Sequence, residues 1–327
     1  MSISQNDAKY DRCLVCNGRA RTFLRHHAVG HFLRCQCGLI FQDPREFLEE
    51  KVVTPFASDA PSLDPESFKR VFSESIDTSD DNGNMYAEHG IQHEKMVQGI
   101  CDHLVDVLKK SVNFNFEKPF SMLDIGCATG FLLHSVQRRF PMAMVAGVEP
   151  SPVSSDKARQ LYGLQIHVGT MNSFAAPDSP FDLITILGNL QLHEDPFRTL
   201  TQATAMLRPA GVLVCQFKNP YCTTRVLSRF ASKLPLLSSS SLTKLLLEKG
   251  FACMRHSGSK RALRASIEST GLQVIRTTTL PPRMASYSNM NQAHASGIKG
   301  KVWAVLNRLD KTLDQQAWIE FICQKPT

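Results

Sequence analysis

Short apolar runs alternate with amphipathic stretches between Phe120 and Phe217. Five runs have the length and composition of buried strands: "SMLDIG", "AMVAGVE", "LQIHVG", "FDLITILG" and "GVLVCQF". The stretches between them have helical spacing, as in "FLLHSVQRRF", "SPVSSDKARQLYG" and "DPFRTLTQATAMLRPAG". Buried strands that alternate with helices are typical of a parallel sheet covered on both faces, so the pattern predicts an α/β fold.

The flanking sequence divides into regions of different composition. Residues 10–45 contain four clustered cysteines, and residues 46–84, rich in Ser, Asp and Pro, are typical of a linker. Apolar residues three and four apart from Met85 to about Leu108 predict an amphipathic helix. The main domain is therefore expected over 85–327. It includes an insert at about 218–258, a helix–strand pair in "KRALRASIESTGLQVIRTTTL" and a last strand, "WIEFICQKP".

Charge is spread unevenly over the 327 residues, whose net charge is +7. From Lys218 onward there are 17 Lys and Arg against 5 Asp and Glu, whereas the preceding part has 20 against 25. A basic C-terminal third suits an anionic substrate, a nucleic acid or an acidic membrane surface, although a solvated face that keeps the protein soluble explains it equally well. The chain has no apolar run of about 20 residues and no apolar stretch near its first residue, so we expect no membrane span and a cytoplasmic location.

The turn after the first of these strands is rich in small residues and is preceded by an acid. Asp124 closes the strand, and Gly126, Ala128 and Gly130 follow at alternate positions, which lets a ligand lie against bare backbone. The dinucleotide fingerprint is G-x-G-x-x-G, and this turn reads G-x-A-x-G. Because Asp124 would repel a pyrophosphate and attract an ammonium group, the turn favours a ligand with positive charge.

A second acid ends the next strand. Glu149 lies 19 residues after Gly130, and a carboxylate at that place can accept hydrogen bonds from both hydroxyls of a ribose. The turn, the acid at the strand end and the strand–helix order together favour a nucleoside cofactor over a tight turn alone.

These residues resemble the class I S-adenosylmethionine-dependent methyltransferases. The matching pieces, in family order, are "MLDIGCATGFLL", "VAGVEPSP", "FDLITILGNLQLHEDP" and "LRPAGVLVCQ". The resemblance implies a Rossmann-like sheet of seven mostly parallel strands with the last strand antiparallel. It also implies S-adenosylmethionine as cofactor. The alternative is an α/β core whose cofactor pocket has decayed, which the intact set of Asp124, Gly126, Gly130 and Glu149 disfavours.

The resemblance further implies a role for each matching residue. The loop Gly126–Gly130, including Cys127, would lie against the methionine part of the cofactor, near Asp124, and Glu149 would hold the ribose. Ala128 replaces the family's middle glycine. The remaining cofactor-binding residues are Pro150, Met171 and Asn172 around the adenine, and Gly188 and Asn189 at the methionine end.

The four N-terminal cysteines form two short knuckles, "CLVC" at Cys13 and Cys16 and "CQC" at Cys35 and Cys37. Four thiolates so arranged can surround a tetrahedral zinc ion. The segment is similar to the zinc-binding N-terminal segment of many bacterial small-molecule methyltransferases, in which the second knuckle reads C-x-x-C. Because C-x-C is one residue short, His26, His27 or His31 could replace one ligand. A relic cluster without metal and a redox role are the alternatives.

Two features near the expected acceptor side have chemical and structural interpretations. His193, in "NLQLHEDP", lies just past the fourth strand and could act as a general base, or it could simply pack at a helix entry beside the Asp195 cap. The insert could fold over the acceptor as a lid, or form a surface helical hairpin without function.

The sequence therefore predicts methyl transfer to a small molecule, such as an anionic metabolite. An RNA methyltransferase is the alternative, which the few aromatic residues of the basic third disfavour. A non-catalytic cofactor-binding protein is the third interpretation. Neither the acceptor nor the oligomeric state follows from the sequence.

Overall fold

A computed structural model describes residues 12–27, 29–43, 90–175, 179–238, 240, 243, 247, 251, 254–281 and 297–327. The predicted linker at 46–84 lies outside the described residues, as do residues 85–89 at the start of the predicted helix. No helix in the described ranges is both long enough and apolar enough to cross a membrane.

Eleven strands occur in the described residues, and they form two sheets. In chain order they are β1 Ala20–His26, β2 Gly30–Cys35, β3 Leu39–Gln42, β4 Phe120–Ile125, β5 Ala143–Glu149, β6 Gln165–Val168, β7 Phe181–Ile186, β8 Leu207–Lys218, β9 His256–Gly258, β10 Gln273–Leu280 and β11 Trp318–Gln324.

The larger sheet has seven strands in the order β10-β11-β8-β7-β4-β5-β6. Strands β4 to β8 pair in parallel, and β11 runs antiparallel to both of its neighbours, β8 and β10. The predicted seven-stranded, mostly parallel sheet with an antiparallel last strand is thus confirmed, and each of its strands lies where an apolar run predicted it.

The helices of the described residues are α1 Gly90–Val112, α2 Phe131–Arg139, α3 Pro152–Tyr162, α4 Pro196–Met206, α5 Thr223–Ala231, α6 Pro235–Ser238, α7 Lys260–Glu268 and α8 Gly297–Thr312. Of these, α1, α2 and α3 pack on one face of the sheet and α4 and α7 on the other. Because successive strand residues point to opposite faces, Met122 of β4 packs in the core under α1 and α2, whereas its neighbour Leu123 packs in the core under α4 and α7.

The smaller sheet joins the N-terminal cysteine segment to the predicted insert. Its order is β1-β2-β3-β9, so β9, which lies 213 residues beyond Asp43 along the chain, pairs with β3. Leu33, Leu39 and Phe41 of this sheet are buried in the same apolar core as α4 and α7. The cysteine segment therefore packs directly on the large domain.

Candidate functional site

The turn after β4 has the backbone that its sequence predicts. Gly126, Ala128 and Gly130 have φ values of 75°, 49° and 77°, a left-handed region that favours glycine. The N–H of Gly126 donates to the carbonyl of Val148 at 2.7 Å, which fixes the turn against the end of β5. A Cβ at Gly126 would overlap the side-chain amide of Asn189. Because Gly126 has no side chain, Asn189, which follows β7, can pack against its backbone.

The two acids predicted from the sequence lie at the same edge of the sheet. Asp124 is buried, and one of its carboxylate oxygens accepts a hydrogen bond from the Thr185 hydroxyl at 2.6 Å. Glu149 is also buried, and its two oxygens accept from the N–H groups of Ala128 and Ser151, each at 2.9 Å. Both carboxyl groups are thus oriented by neighbouring residues of the same edge.

Burial dominates the electrostatics of this pair. It raises the pKa of Asp124 to about 6, against the hydrogen bond from Thr185. It also raises the pKa of Glu149 to about 7, although the hydrogen bonds from Ser151 and Ala128 oppose it and the nearby charge of Asp124 adds to it. A ligand that brings positive charge or hydroxyl donors would stabilise the ionised form of both acids, which burial disfavours.

Asn189 closes the site from the end of β7. Its amide nitrogen donates to the carbonyls of Ile125 at 2.8 Å and Gly126 at 3.2 Å. Its amide oxygen is buried and has no hydrogen-bond partner in the part of the chain that the structure describes, and the same holds for Thr129 Oγ1 and Gln191 Oε1. A buried polar atom without a partner is costly, so these three atoms point to a polar ligand at this edge.

The other predicted cofactor residues differ in exposure. Met171 is buried in the apolar core, Pro150 is half-buried, and Asn172 is exposed, with its side-chain oxygen 3.5 Å from the amide nitrogen of Gln202. Cys127 is buried, and burial raises the pKa of its thiol, so it is a small apolar side chain of the turn. Gly188 has a φ of 75° and begins the turn that leads to Asn189.

Sequence reasoning missed Thr185 and Ser151, which orient the two acids. Thr185 lies directly opposite Asp124 in the parallel pairing of β4 with β7. The sequence carries a signal for it, because a hydroxyl residue inside the apolar run "FDLITILG" is unusual for a strand buried on both faces.

His193 lies past β7, at the entry to α4. Its Nδ1 is 3.0 Å from the Thr199 hydroxyl, and the neighbouring Asp195 caps α4 by accepting from the N–H groups of Phe197 and Arg198. Burial, with a smaller contribution from His256, lowers the pKa of His193 to about 4, so the imidazole is neutral near pH 7. This geometry suits packing at a helix entry, and a neutral imidazole also retains the capacity to accept a proton.

The four cysteine sulfurs converge although the second knuckle is short. All four lie within 4.8 Å of one another, with Cys13 Sγ 3.6 Å from Cys37 Sγ and Cys16 Sγ 3.4 Å from Cys35 Sγ. Zinc–sulfur bonds of about 2.3 Å in a tetrahedron place sulfurs roughly 3.8 Å apart, so these donors fit the ion.

The histidines suggested as substitute ligands have other contacts. His31 is paired with Asp43 and Thr22 at 3.0 and 2.9 Å, and His26 Nε2 is 3.0 Å from the carbonyl of Ser238. His27 stacks on His26. The thiolate set Cys13, Cys16, Cys35 and Cys37 is therefore complete without them.

The cysteine sheet is connected to the loop that carries Asn189 and His193. Arg255, just before β9, donates its N–H to the carbonyl of Gln191 at 2.9 Å, and His256 Nε2 is 2.9 Å from the carbonyl of Glu194. Since β9 pairs with β3, the small sheet supports this loop through β9.

The larger sheet is Rossmann-like, of class I. The edge at which β4 and β5 end carries a site made of two acids and a glycine-containing turn. A family model described as "Methyltransferase domain" matches residues 122–211, which contain the turn, both acids, Asn189 and His193. The chain thus carries a methyltransferase domain.

Named relatives match about a third of the chain. A malonyl-[acyl-carrier protein] O-methyltransferase from Hahella chejuensis is 28% identical over 104 residues, which is 30% of this chain and 36% of that protein. A trans-aconitate 2-methyltransferase from Deinococcus radiodurans is 34% identical over 103 residues, 31% of this chain and 39% of that protein. The chain thus spans less than half the length of these two relatives.

Among solved structures, the plantazolicin methyltransferase BpumL in complex with SAH is similar with a TM-score of 0.49 and 14% identity. The match covers 86% of this chain and 99% of that chain.

Proposed function

We propose that this protein transfers a methyl group from S-adenosylmethionine to a small, anionic acceptor. The observation that carries the proposal is the convergence of Asp124, Glu149 and the unpartnered amide oxygen of Asn189 at one edge of a methyltransferase domain. The raised pKa values of both acids and the unpartnered oxygen suit a ligand with an ammonium group and ribose hydroxyls.

Each residue would contribute to cofactor binding in a way that its present contacts support. Glu149 would accept the ribose hydroxyls, while Asp124 and Asn189 would face the ammonium group beside the Gly126–Gly130 turn. Pro150, Met171 and Asn172 would flank the adenine. The bound cofactor supplies an electrophilic methyl group on sulfur, and the protein chiefly orients the acceptor toward it.

His193 is the candidate base for an acceptor that must lose a proton. Because its pKa is lowered to about 4, the imidazole is unprotonated at neutral pH, but the same shift makes it a weaker base than a free histidine. His193→Gln would keep hydrogen-bonding capacity at this place and remove the base. Unchanged turnover in that variant would assign His193 to packing at the entry of α4.

The acceptor class is supported by the relatives and by the charge of the chain. The names of the two relatives above give malonyl-[acyl-carrier protein] and trans-aconitate as acceptors, and both molecules carry carboxylates. The C-terminal third of this chain has a surplus of Lys and Arg, which suits an acceptor of negative charge.

Zinc is proposed as a structural ion held by Cys13, Cys16, Cys35 and Cys37. The compact sulfur set supports this role, and a closed four-thiolate site leaves no ligand position for catalysis.

Two measurements test the function. Isothermal titration of the full chain with S-adenosylhomocysteine should give a saturable heat that Asp124→Asn and Glu149→Gln weaken. Incubation with methyl-labelled cofactor and fractionated cell extract should place label in anionic small molecules. Label in RNA, or in protein other than an acyl group carried by an acyl-carrier protein, would contradict the acceptor class, and the absence of cofactor binding would contradict the activity.

A further inference from the structure

A second polar cluster lies between the predicted insert and β1. Arg229 of α5 and Tyr221, which follows β8, both pack against Phe23 of β1: the Arg229 guanidinium carbon is 3.9 Å from the centre of the Phe23 ring, and the Tyr221 and Phe23 ring centres are 6.3 Å apart. None of the three belongs to the cofactor site described above.

The polar atoms of this cluster lack partners. Within the described part of the chain, Nε and Nη1 of Arg229 and the hydroxyl of Tyr221 are buried and make no hydrogen bond. Guanidinium N–H groups and a phenol hydroxyl are donors that an oxygen-bearing anion can accept from.

Electrostatics around the cluster point the same way. Burial lowers the pKa of Arg229, Tyr221 opposes that shift, and the positive charge of Arg34 adds to it. An anion beside Arg229 would favour the charged form that burial and the charge of Arg34 disfavour.

Tyr221 of the cluster follows the carboxyl edge of the large sheet. Tyr221 lies three residues beyond β8, whose carboxyl end is at the same sheet edge as the end of β7, where Asn189 and His193 follow. Ligands of open α/β sheets bind at this edge.

We propose that Arg229 and Tyr221 form a binding site for the carboxylate or phosphate group of the methyl acceptor. The assignment rests on the proposed function, since it names the acceptor as a molecule with such a group in addition to the atom that is methylated. The guanidinium donates to the oxyanion through Nη1, and the Tyr221 hydroxyl donates a further hydrogen bond.

The test measures binding of inorganic phosphate to the full chain by isothermal titration at constant ionic strength. Arg229→Met removes the donors while it keeps an apolar contact with Phe23, and should weaken phosphate binding roughly 10- to 100-fold. Tyr221→Phe removes one hydroxyl and should weaken it about 2- to 10-fold. Arg261→Met, which removes an exposed arginine of α7, is the control and should bind phosphate as the parent does.

Thermal unfolding separates binding from packing. Without an anion, Arg229→Met should unfold at the same or a higher temperature than the parent, because it removes an unsatisfied buried cation. Phosphate should raise the unfolding temperature of the parent and not of the variant. A variant that is destabilised without phosphate, or that binds phosphate like the parent, would overturn the proposal.

Competition distinguishes the sources of the anion. Malonate or trans-aconitate should displace phosphate if the site holds an acceptor carboxylate, and displacement by neither would show a site for free phosphate and overturn the assignment to the acceptor. Titration with S-adenosylhomocysteine is independent of these experiments. Failure of that titration, with phosphate still bound through Arg229, would contradict the proposed methyl transfer and leave the anion site in place.

Discussion

Asp124 and Glu149 are buried acids whose ionisation depends on what lies beside them. Thr185 and backbone N–H groups orient them, while burial raises their pKa values to about 6 and about 7. The two carboxyl groups are therefore partly protonated near neutral pH. A ligand with positive charge or hydroxyl donors would favour their ionised form.

The first prediction concerns pH. A ligand that needs ionised acids should bind more tightly as pH rises through about 6 and about 7, so S-adenosylhomocysteine should bind more weakly at pH 5.5 than at pH 8. Isothermal titration across this range measures the effect. Glu149→Gln should bind more weakly throughout and lose the upper step, and an unchanged profile in that variant would refute the assignment.

The stability of the ligand-free protein should change in the opposite direction. Both pKa values lie above those of the same acids in an unfolded chain, about 4, so the folded protein binds protons more tightly over the intervening range. The stability contributed by the two acids is therefore greatest below that range and declines as pH rises toward 7. Denaturant unfolding of the parent and of Asp124→Asn with Glu149→Gln isolates this contribution.

A second residue-scale prediction compares two glycines. Gly126 and Gly163 have similar φ values, 75° and 64°, but a Cβ would overlap Asn189 at Gly126 and would meet no atom within 4 Å at Gly163. Gly163→Ala should cost about 1 kcal/mol of stability, from the left-handed backbone alone, and leave cofactor binding intact. Gly126→Ala should displace Asn189 and abolish binding of S-adenosylhomocysteine, as titration of both variants would show.

At the scale of elements, the pairing of β3 with β9 links the cysteine segment to the candidate active site. The link continues from β9 to the loop after β7 through Arg255 and Gln191. A metal ion at the proposed site would order β1 to β3 in proportion to the stability that it contributes. The small sheet would then support the loop after β7 through strand pairing, without contact between the four cysteines and the turn after β4.

Removal of the proposed metal ion should therefore make the loop after β7, which contains Gln191, more mobile. In hydrogen exchange, chelation of a zinc-loaded sample, or Cys16→Ser, should speed amide exchange in β3, in β9 and around Gln191, and leave β4 and β5 protected. Cys101→Ser, which alters a buried cysteine of α1 outside the cluster, is the control. If exchange around Gln191 were unaffected while β3 became labile, the supporting role of β9 would be wrong.

At the scale of the whole molecule, a buried polar network joins α1 to the middle of the large sheet. Glu320 of β11 is buried and accepts from Gln216 of β8 at 2.9 Å, and its other oxygen is 2.8 Å from Nε2 of His103 on α1. Burial alone would lower the pKa of His103, but the hydrogen bond and charge of Glu320 outweigh it and raise this pKa.

This network predicts a loss of stability at high pH. Since the pKa of His103 is raised on folding, its contribution is complete below the pKa of an unfolded histidine, about 6.5, and is lost as pH rises through the folded value. His103→Ala should cost about 1.5–3 kcal/mol at pH 6 and less at pH 9. Urea unfolding at the two pH values measures this difference, and an equal cost at both would contradict the ion pair.

Much of the large sheet could be predicted from the sequence, because its strands are short apolar runs whose burial is encoded locally. Asp124, Gly126 and Glu149 were predicted for a similar reason, since the turn chemistry and the strand ends are local features. Helix α8 was not predicted, and two of its apolar side chains among the described residues, Val305 and Leu309, are exposed.

The local order of apolar and polar residues was sufficient for the parallel sheet and the acids at its edge, because side-chain period and strand-end position are properties of neighbouring residues, whereas the antiparallel last strand was implied by the resemblance of the motifs to a known family. Tertiary structure alone decided that β9 pairs with β3, that Thr185 faces Asp124, that Asn189 fills the space over Gly126, and that Arg229 and Tyr221 meet against Phe23. These contacts join residues far apart in the chain, and only the packing of whole elements determines which of them come together.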